Sequence, residues 1–191
     1  MRHTTAEILK EICKDVRIEP ELTPIASDNN GGTSTNTKDR ARLDVSCVGL
    51  WSPLERTFLD IRIFHPGSPS YKNKSLQSLY KTHQMEKKQK YNARIINVEK
   101  STFTPVVFST HGGMAPECRT LFQRAARQIS EKRKERYEDV MGYISTRLRI
   151  SLMKSILLSV RGSRGTSKGN GKHIASIPFN IIPRDPYEES L

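Results

Sequence analysis

Cysteine is scarce in this chain of 191 residues: Cys13, Cys47 and Cys118 are odd in number and show no CxxC or Cys/His ligand spacing. That excludes a disulfide framework and a structural zinc site, and the three read as buried small apolar residues. No apolar run approaches a membrane span, and the N-terminus lacks the regions of a secretory signal, so an intracellular protein with no membrane partner is expected. The glycine pair Gly112-Gly113 lacks the lysine and Ser/Thr that complete a phosphate loop. Aromatic residues make up only 7% of the chain and fall mostly in apolar stripes, which argues against an RNA-stacking surface. Acids are also few, with 20 Asp and Glu against 32 Lys and Arg, a net charge of +12 that suits a polyanionic partner.

What is present organises around two acids. In Arg42-Leu43-Asp44-Val45 and Phe58-Leu59-Asp60-Ile61-Arg62-Ile63-Phe64 the period-2 alternation of a strand puts Asp60 and Arg62 on one side, with Leu59, Ile61 and Ile63 on the other. Leu43, Val45 and Cys47 likewise face away from Asp44. The short separation suits an antiparallel hairpin with an enlarged turn, and two acids on neighbouring strands can hold a metal.

Around this pair the pattern gives an order of elements. Thr4 to Lys14 has helical spacing, with Thr4 and Glu7 as a capping box. Val16 to Leu22 alternates as a short strand, and residues 24–41 form a solvated, flexible loop. Between Ser75 and Val98 the stripe Leu76, Tyr80, His83, Lys87, Lys90, Tyr91 and Ile95 follows one helix face, so two lysines are expected to point inward. Thr104 to Ser109 reads as a buried strand reached by a crossover. Helices follow from Pro116 and from about Asp139 to Val160, with Gly162 as a cap. From Arg119 to Lys168 there are 13 Lys or Arg and 4 Asp or Glu, so the basic side is C-terminal. Residues 163–191 read as a mobile tail.

Phosphodiester hydrolysis needs a divalent cation held by carboxylates and a basic group to orient water or support the leaving oxygen. Asp44 and Asp60 are the ligand candidates, Glu19, Glu7 or Glu11 a further acid, and Lys87, Lys90 or Arg62 the cation. Each has a plainer reading: Asp60 with Arg62 as a surface charge pattern, the lysines as snorkelling side chains, and His83 and His111 as ordinary polar residues.

Taken together, the acid-bearing hairpin, the lysine helix and the following strand in αβββαβ order resemble the PD-(D/E)xK restriction-like nucleases. The fifteen-residue gap from Asp44 to Asp60 and the run Lys87-Lys88-Gln89-Lys90-Tyr91 resemble, more narrowly, the endonuclease region associated with reverse transcriptases of non-LTR retrotransposons. The resemblance covers about residues 2–165. Leu43 stands where the motif has proline, and Arg62 where the classical signature has lysine, so the catalytic lysine would lie on the helix, at Lys87 or Lys90.

This resemblance implies an α/β fold with a mixed-sheet core over residues 1–114, a basic helical extension over 115–162 packed on it, and a nuclear DNA endonuclease using Mg²⁺ or Mn²⁺. Asp44, Asp60 and Glu19 would bind metal, and Lys87 and Lys90 would serve catalysis. Arg62, Arg119, Arg124, Arg127, Arg147 and Arg149 would bind DNA, and a reverse transcriptase region of the same element would be a partner. The alternative is an inactive nuclease-fold module that binds DNA without cutting it.

Overall fold

Nine residues, Arg56–Phe64, form the strand that the other elements pack around. The computed structural model describes residues 1–23 and 41–162. All of the expected loop over 24–41 except Ala41, and the expected tail at 163–191, lie outside the described residues. In chain order the elements are α1 (Arg2–Lys10), β1 (Lys14–Ile18), β2 (Val45–Val48), β3 (Arg56–Phe64), a 3₁₀ turn (Pro69–Tyr71), α2 (Leu76–Asn97), β4 (Thr102–Ser109), α3 (Pro116–Arg133) and α4 (Tyr137–Gly162).

The class is α/β, with a mixed four-stranded sheet in the order β1-β2-β3-β4. β1, β2 and β3 pair antiparallel, and β3 pairs with β4 in parallel, setting Asp60 opposite Pro105. A parallel pair needs a long crossover, which α2 supplies. Pro105, which has no N–H to donate, is tolerated because β4 is an edge strand. The C-terminal half of that edge is covered by the chain that follows it, through Ser109 N to Gly113 O at 2.9 Å and Ala115 N to Val107 O at 3.0 Å.

The two faces of β3 are covered by different elements. Leu59, Ile61 and Ile63 join the main apolar core with Ile8 and Leu9 of α1, Leu121 and Phe122 of α3, and Ile144 and Leu148 of α4. Phe58 belongs to a smaller cluster with Leu22, Leu43, Phe103, and Tyr91 and Ile95 of α2. The helices α3 and α4 thus share one core with α1 and the sheet. All three cysteines are free and buried, as their spacing implies.

Several expectations need correction. α1 begins at Arg2, so Thr4 lies inside it and caps nothing; its hydroxyl meets Ser151 Oγ on α4 at 3.0 Å, and Glu7 pairs with Arg147. Tertiary contacts with α4 outcompete the local capping box. β1 stops at Ile18 because Glu19 turns left-handed, at φ +53°, ahead of Pro20. Asp44 sits in a bend just before β2, which breaks the alternation and sends Leu43 to the α2 side, away from Val45 and Cys47. α2 starts as expected, with Ser75 Oγ accepting from Ser78 N at 3.2 Å. α4 continues through Gly162.

Candidate functional site

Asp44 is held in place by its backbone and its carboxylate together. Its N–H donates to Leu59 O at 3.1 Å and its carbonyl accepts from Glu19 N at 3.0 Å. Its carboxylate Oδ2 accepts from the N–H of Ile61 at 2.6 Å, and Oδ1 lies 3.5 Å from Arg2 Nε. The Ile61 amide adjoins Asp60 in the chain, so the bend at Asp44 carries its acid to the middle of β3. Asp60 itself is only 7% exposed.

The ion pair with Lys87 Nζ is made by Asp60 Oδ2, yet that oxygen is buried without a hydrogen bond of regular geometry. Burial raises the Asp60 pKa above the ordinary carboxylate value; the Asp44 charge acts the same way, while Lys87 and Lys90 oppose it. The Lys87 side chain is 20% exposed, which leaves one side of this pair open to solvent.

This meeting follows from matched periods. Along β3 the residues facing α2 are Phe58, Asp60, Arg62 and Phe64, and α2 runs past them in the opposite direction. Tyr91 shares the apolar cluster of Phe58, Lys87 meets Asp60, Glu86 meets Arg62 at 2.5 Å, and Tyr80 packs edge-on against Phe64 at 5.2 Å. His83 is buried against Phe64 and Tyr71, with Nδ1 3.5 Å from Glu86 Oε2 and neither ring nitrogen hydrogen-bonded. Burial, then Arg62, lowers its pKa, which favours the neutral ring.

Asp44, Asp60 and Lys87 are therefore brought together, and the other expected members are not. Lys90 is exposed and lies over the Tyr91 ring at 4.9 Å, so only one of the two lysines points inward. Glu19 is exposed and paired with Arg2, Glu7 with Arg147, and Glu11 with Arg133 at 2.5 Å. Each acid expected to complete a metal set thus has an arginine partner. Among the described residues no three His, Cys, Asp or Glu side chains group to hold a metal ion.

The two remaining carboxylates still suit Mg²⁺, which takes one or two protein carboxylates and completes its shell with water and phosphate oxygens. Asp60 Oδ2 is ion-paired with Lys87 Nζ and Asp44 Oδ2 accepts from the Ile61 amide, so a cation would share these carboxylates with those partners.

Of the expected DNA contacts, Arg124 is committed elsewhere. Its Nε donates to Leu50 O at 2.6 Å, its Nη2 to Trp51 O at 3.0 Å, and its guanidinium lies 5.6 Å from the Trp51 ring. Arg62 and Arg147 are ion-paired, whereas Arg119, Arg127 and Arg149 are exposed on α3 and α4. Sequence reasoning missed Arg2, the cation between Glu19 and Asp44, because no local pattern links the first helix to a bend more than forty residues later.

No protein-family model matches the chain, nor does any curated protein or solved structure. Among the described residues no helix is long and apolar enough to cross a membrane.

Proposed function

We propose that the chain is a divalent-metal-dependent DNA endonuclease of restriction-like architecture, nicking target DNA for integration of a retroelement. One observation supports the reading: Lys87 of α2 is ion-paired with the buried Asp60 of β3, and the Asp44 carboxylate, distant in sequence from both, accepts from the Ile61 amide next to Asp60. The αβββαβ order and the mixed sheet are compatible with it. Integration, nuclear location and a reverse transcriptase partner rest on the sequence resemblance.

Asp44 and Asp60 would hold the cation, which when bound supplies charge neutralisation at the scissile phosphate and makes water more acidic. The Lys87 ammonium would orient the attacking water beside Asp60. Arg62, always protonated, suits phosphate better than proton transfer. The exposed Arg119, Arg127 and Arg149 would meet the DNA backbone.

Nicking of supercoiled plasmid in Mg²⁺ or Mn²⁺ tests this. The expected result is cleavage that falls about 100-fold or more in Asp44→Ala and Asp60→Ala. Cleavage undiminished in both variants would sink the reading.

A second reading is favoured by the pairing of each carboxylate with a cation and by the lack of a third acid among the described residues. On this reading the chain binds DNA through its basic helices and cuts nothing. Salt-sensitive DNA affinity without nicking under either metal would select it.

A further inference from the structure

The solvent side of α4 is apolar where an amphipathic helix should be polar. Tyr143, Ile150, Met153 and Leu157 are 50%, 49%, 63% and 55% exposed, and their spacing of seven, three and four residues sets them on one stripe. The opposite face, with Val140, Ile144, Leu148 and Leu152, is buried in the core. Met153 also stands at the rim of a cavity of about 290 Å³ between Thr110, His111, Gly112 and the α4 residues Arg149 and Ile156. A contiguous apolar surface rimmed by polar groups marks an interaction site.

We infer that the occupant is the chain's own segment Ile174–Ile182. Three observations favour it over an outside partner. The segment is the apolar stretch that follows α4 in the sequence, and Ile177, Phe179 and Ile181 alternate so that an extended chain turns them to one side.

The tether is also long enough. Residues 163–173 span up to about 35 Å when extended, whereas Gly162 back to Ile150 along α4 is about 18 Å. A short tether of this kind holds the segment at an effective concentration on the order of millimolar, which a free partner must exceed.

Charge agrees as well. A segment running back along α4 carries Asp185, Glu188 and Glu189 toward the exposed Arg149 and the Arg147 end of the helix. This docking does not depend on the nuclease reading, and its test does not involve DNA.

The full chain with p-benzoylphenylalanine incorporated at Met153 provides the test, using an equal mixture of ¹⁵N-labelled and unlabelled protein. After irradiation, mass spectrometry of the digest is expected to show position 153 joined to peptides from 174–182, with both halves of each pair carrying the same isotope. Phe179→Asp in the same chain should reduce that yield about tenfold or more, as withdrawal of one buried aromatic implies. Circular dichroism of the variant checks that the α/β core is intact.

Mixed-isotope pairs that grow with protein concentration would overturn the proposal in favour of a second copy on the stripe. Absence of any 153–tail pair, or a yield indifferent to Phe179→Asp, would overturn it in favour of a face left for a lipid surface or another partner.

Discussion

The two faces of β3 differ in kind. On one, Leu59 is buried and Ile61 and Ile63 are half-buried against the main apolar core, which α1, α3 and α4 line and which joins Phe64, Leu79 and Tyr80 at one end of the α2 side. On the other, the ion pairs Asp60–Lys87 and Arg62–Glu86 sit between two aromatic clusters, Phe58 with Tyr91 and Phe103 at one end and Phe64 with Tyr71 and Tyr80 at the other. Apolar burial on the first face supplies stability in proportion to area. A buried ion pair adds little net stability because desolvation offsets attraction, yet removing one partner leaves an uncompensated charge. Burial on the first face therefore contributes most of the stability, whereas the ion pairs of the second contribute little net stability.

The largest stability effect belongs to the apolar face. Phe122→Ala, at a fully buried position in contact with Phe108 at 6.2 Å between ring centroids, is expected to cost about 3–5 kcal/mol in urea denaturation. A loss below about 1 kcal/mol would break the division between the faces, since it would mean that this core carries little of the fold.

Lys87→Met comes next, at about 2 kcal/mol, because Asp60 loses its cation while one side of the pair stays open to water. The sign of its pH dependence follows from the raised Asp60 pKa. A carboxyl with a raised folded pKa contributes stability that is fully present below its unfolded value and is lost as pH rises through its folded value. Removing the lysine raises that value further, so the cost should be greater at about pH 8 than at about pH 4. Denaturation midpoints of wild type and variant in the presence of a chelator measure it, and a cost that shrinks with rising pH would contradict the assignment.

The α2 side also contains a close approach that tests its packing. Tyr80 OH donates to Ser109 Oγ at 2.9 Å, and a Cβ on Gly113 would collide with that hydroxyl. Gly113→Ala should cost about 1–3 kcal/mol, and adding Tyr80→Phe should recover much of it by removing the oxygen. A double-mutant cycle with no recovery would place the cost in the backbone of the glycine turn instead.

The sequence makes much of this architecture legible because strong local periods survive packing. The stripe of α2 and the alternation of β3 each name the faces that meet, and from them the Asp60–Lys87 contact follows. Asp44 was legible as an acid beside the β3 strand but not as a bend residue, since its carboxylate is pinned by the Ile61 amide, a partner that no local period names. Lys90 departs from the expected stripe: Tyr91 is buried, whereas Lys90 is exposed with its ammonium 4.9 Å from the centre of the Tyr91 ring. The pairing of Glu19 with Arg2 and of Arg124 with the 50–51 carbonyls is a choice among distant partners, which no local period encodes.

The smallest stability effect, and the sharpest contrast with both faces of β3, belongs to the outer side of α3. Arg124 and Arg127 lie three residues apart on that helix, one donating to two backbone carbonyls and the other exposed. Arg127→Ala should change stability by less than about 0.5 kcal/mol, as for other exposed positions. If α3 lies against DNA, the same substitution lowers the slope of log affinity against log salt by about one phosphate contact. Arg124→Ala should behave in reverse, losing about 1.5–3 kcal/mol with its charged hydrogen bonds while leaving the slope unchanged. A filter-binding salt series beside a denaturation curve separates the two arginines. Equal slopes for wild type and Arg127→Ala would remove α3 from the DNA-facing surface and leave its charge as ordinary solvation.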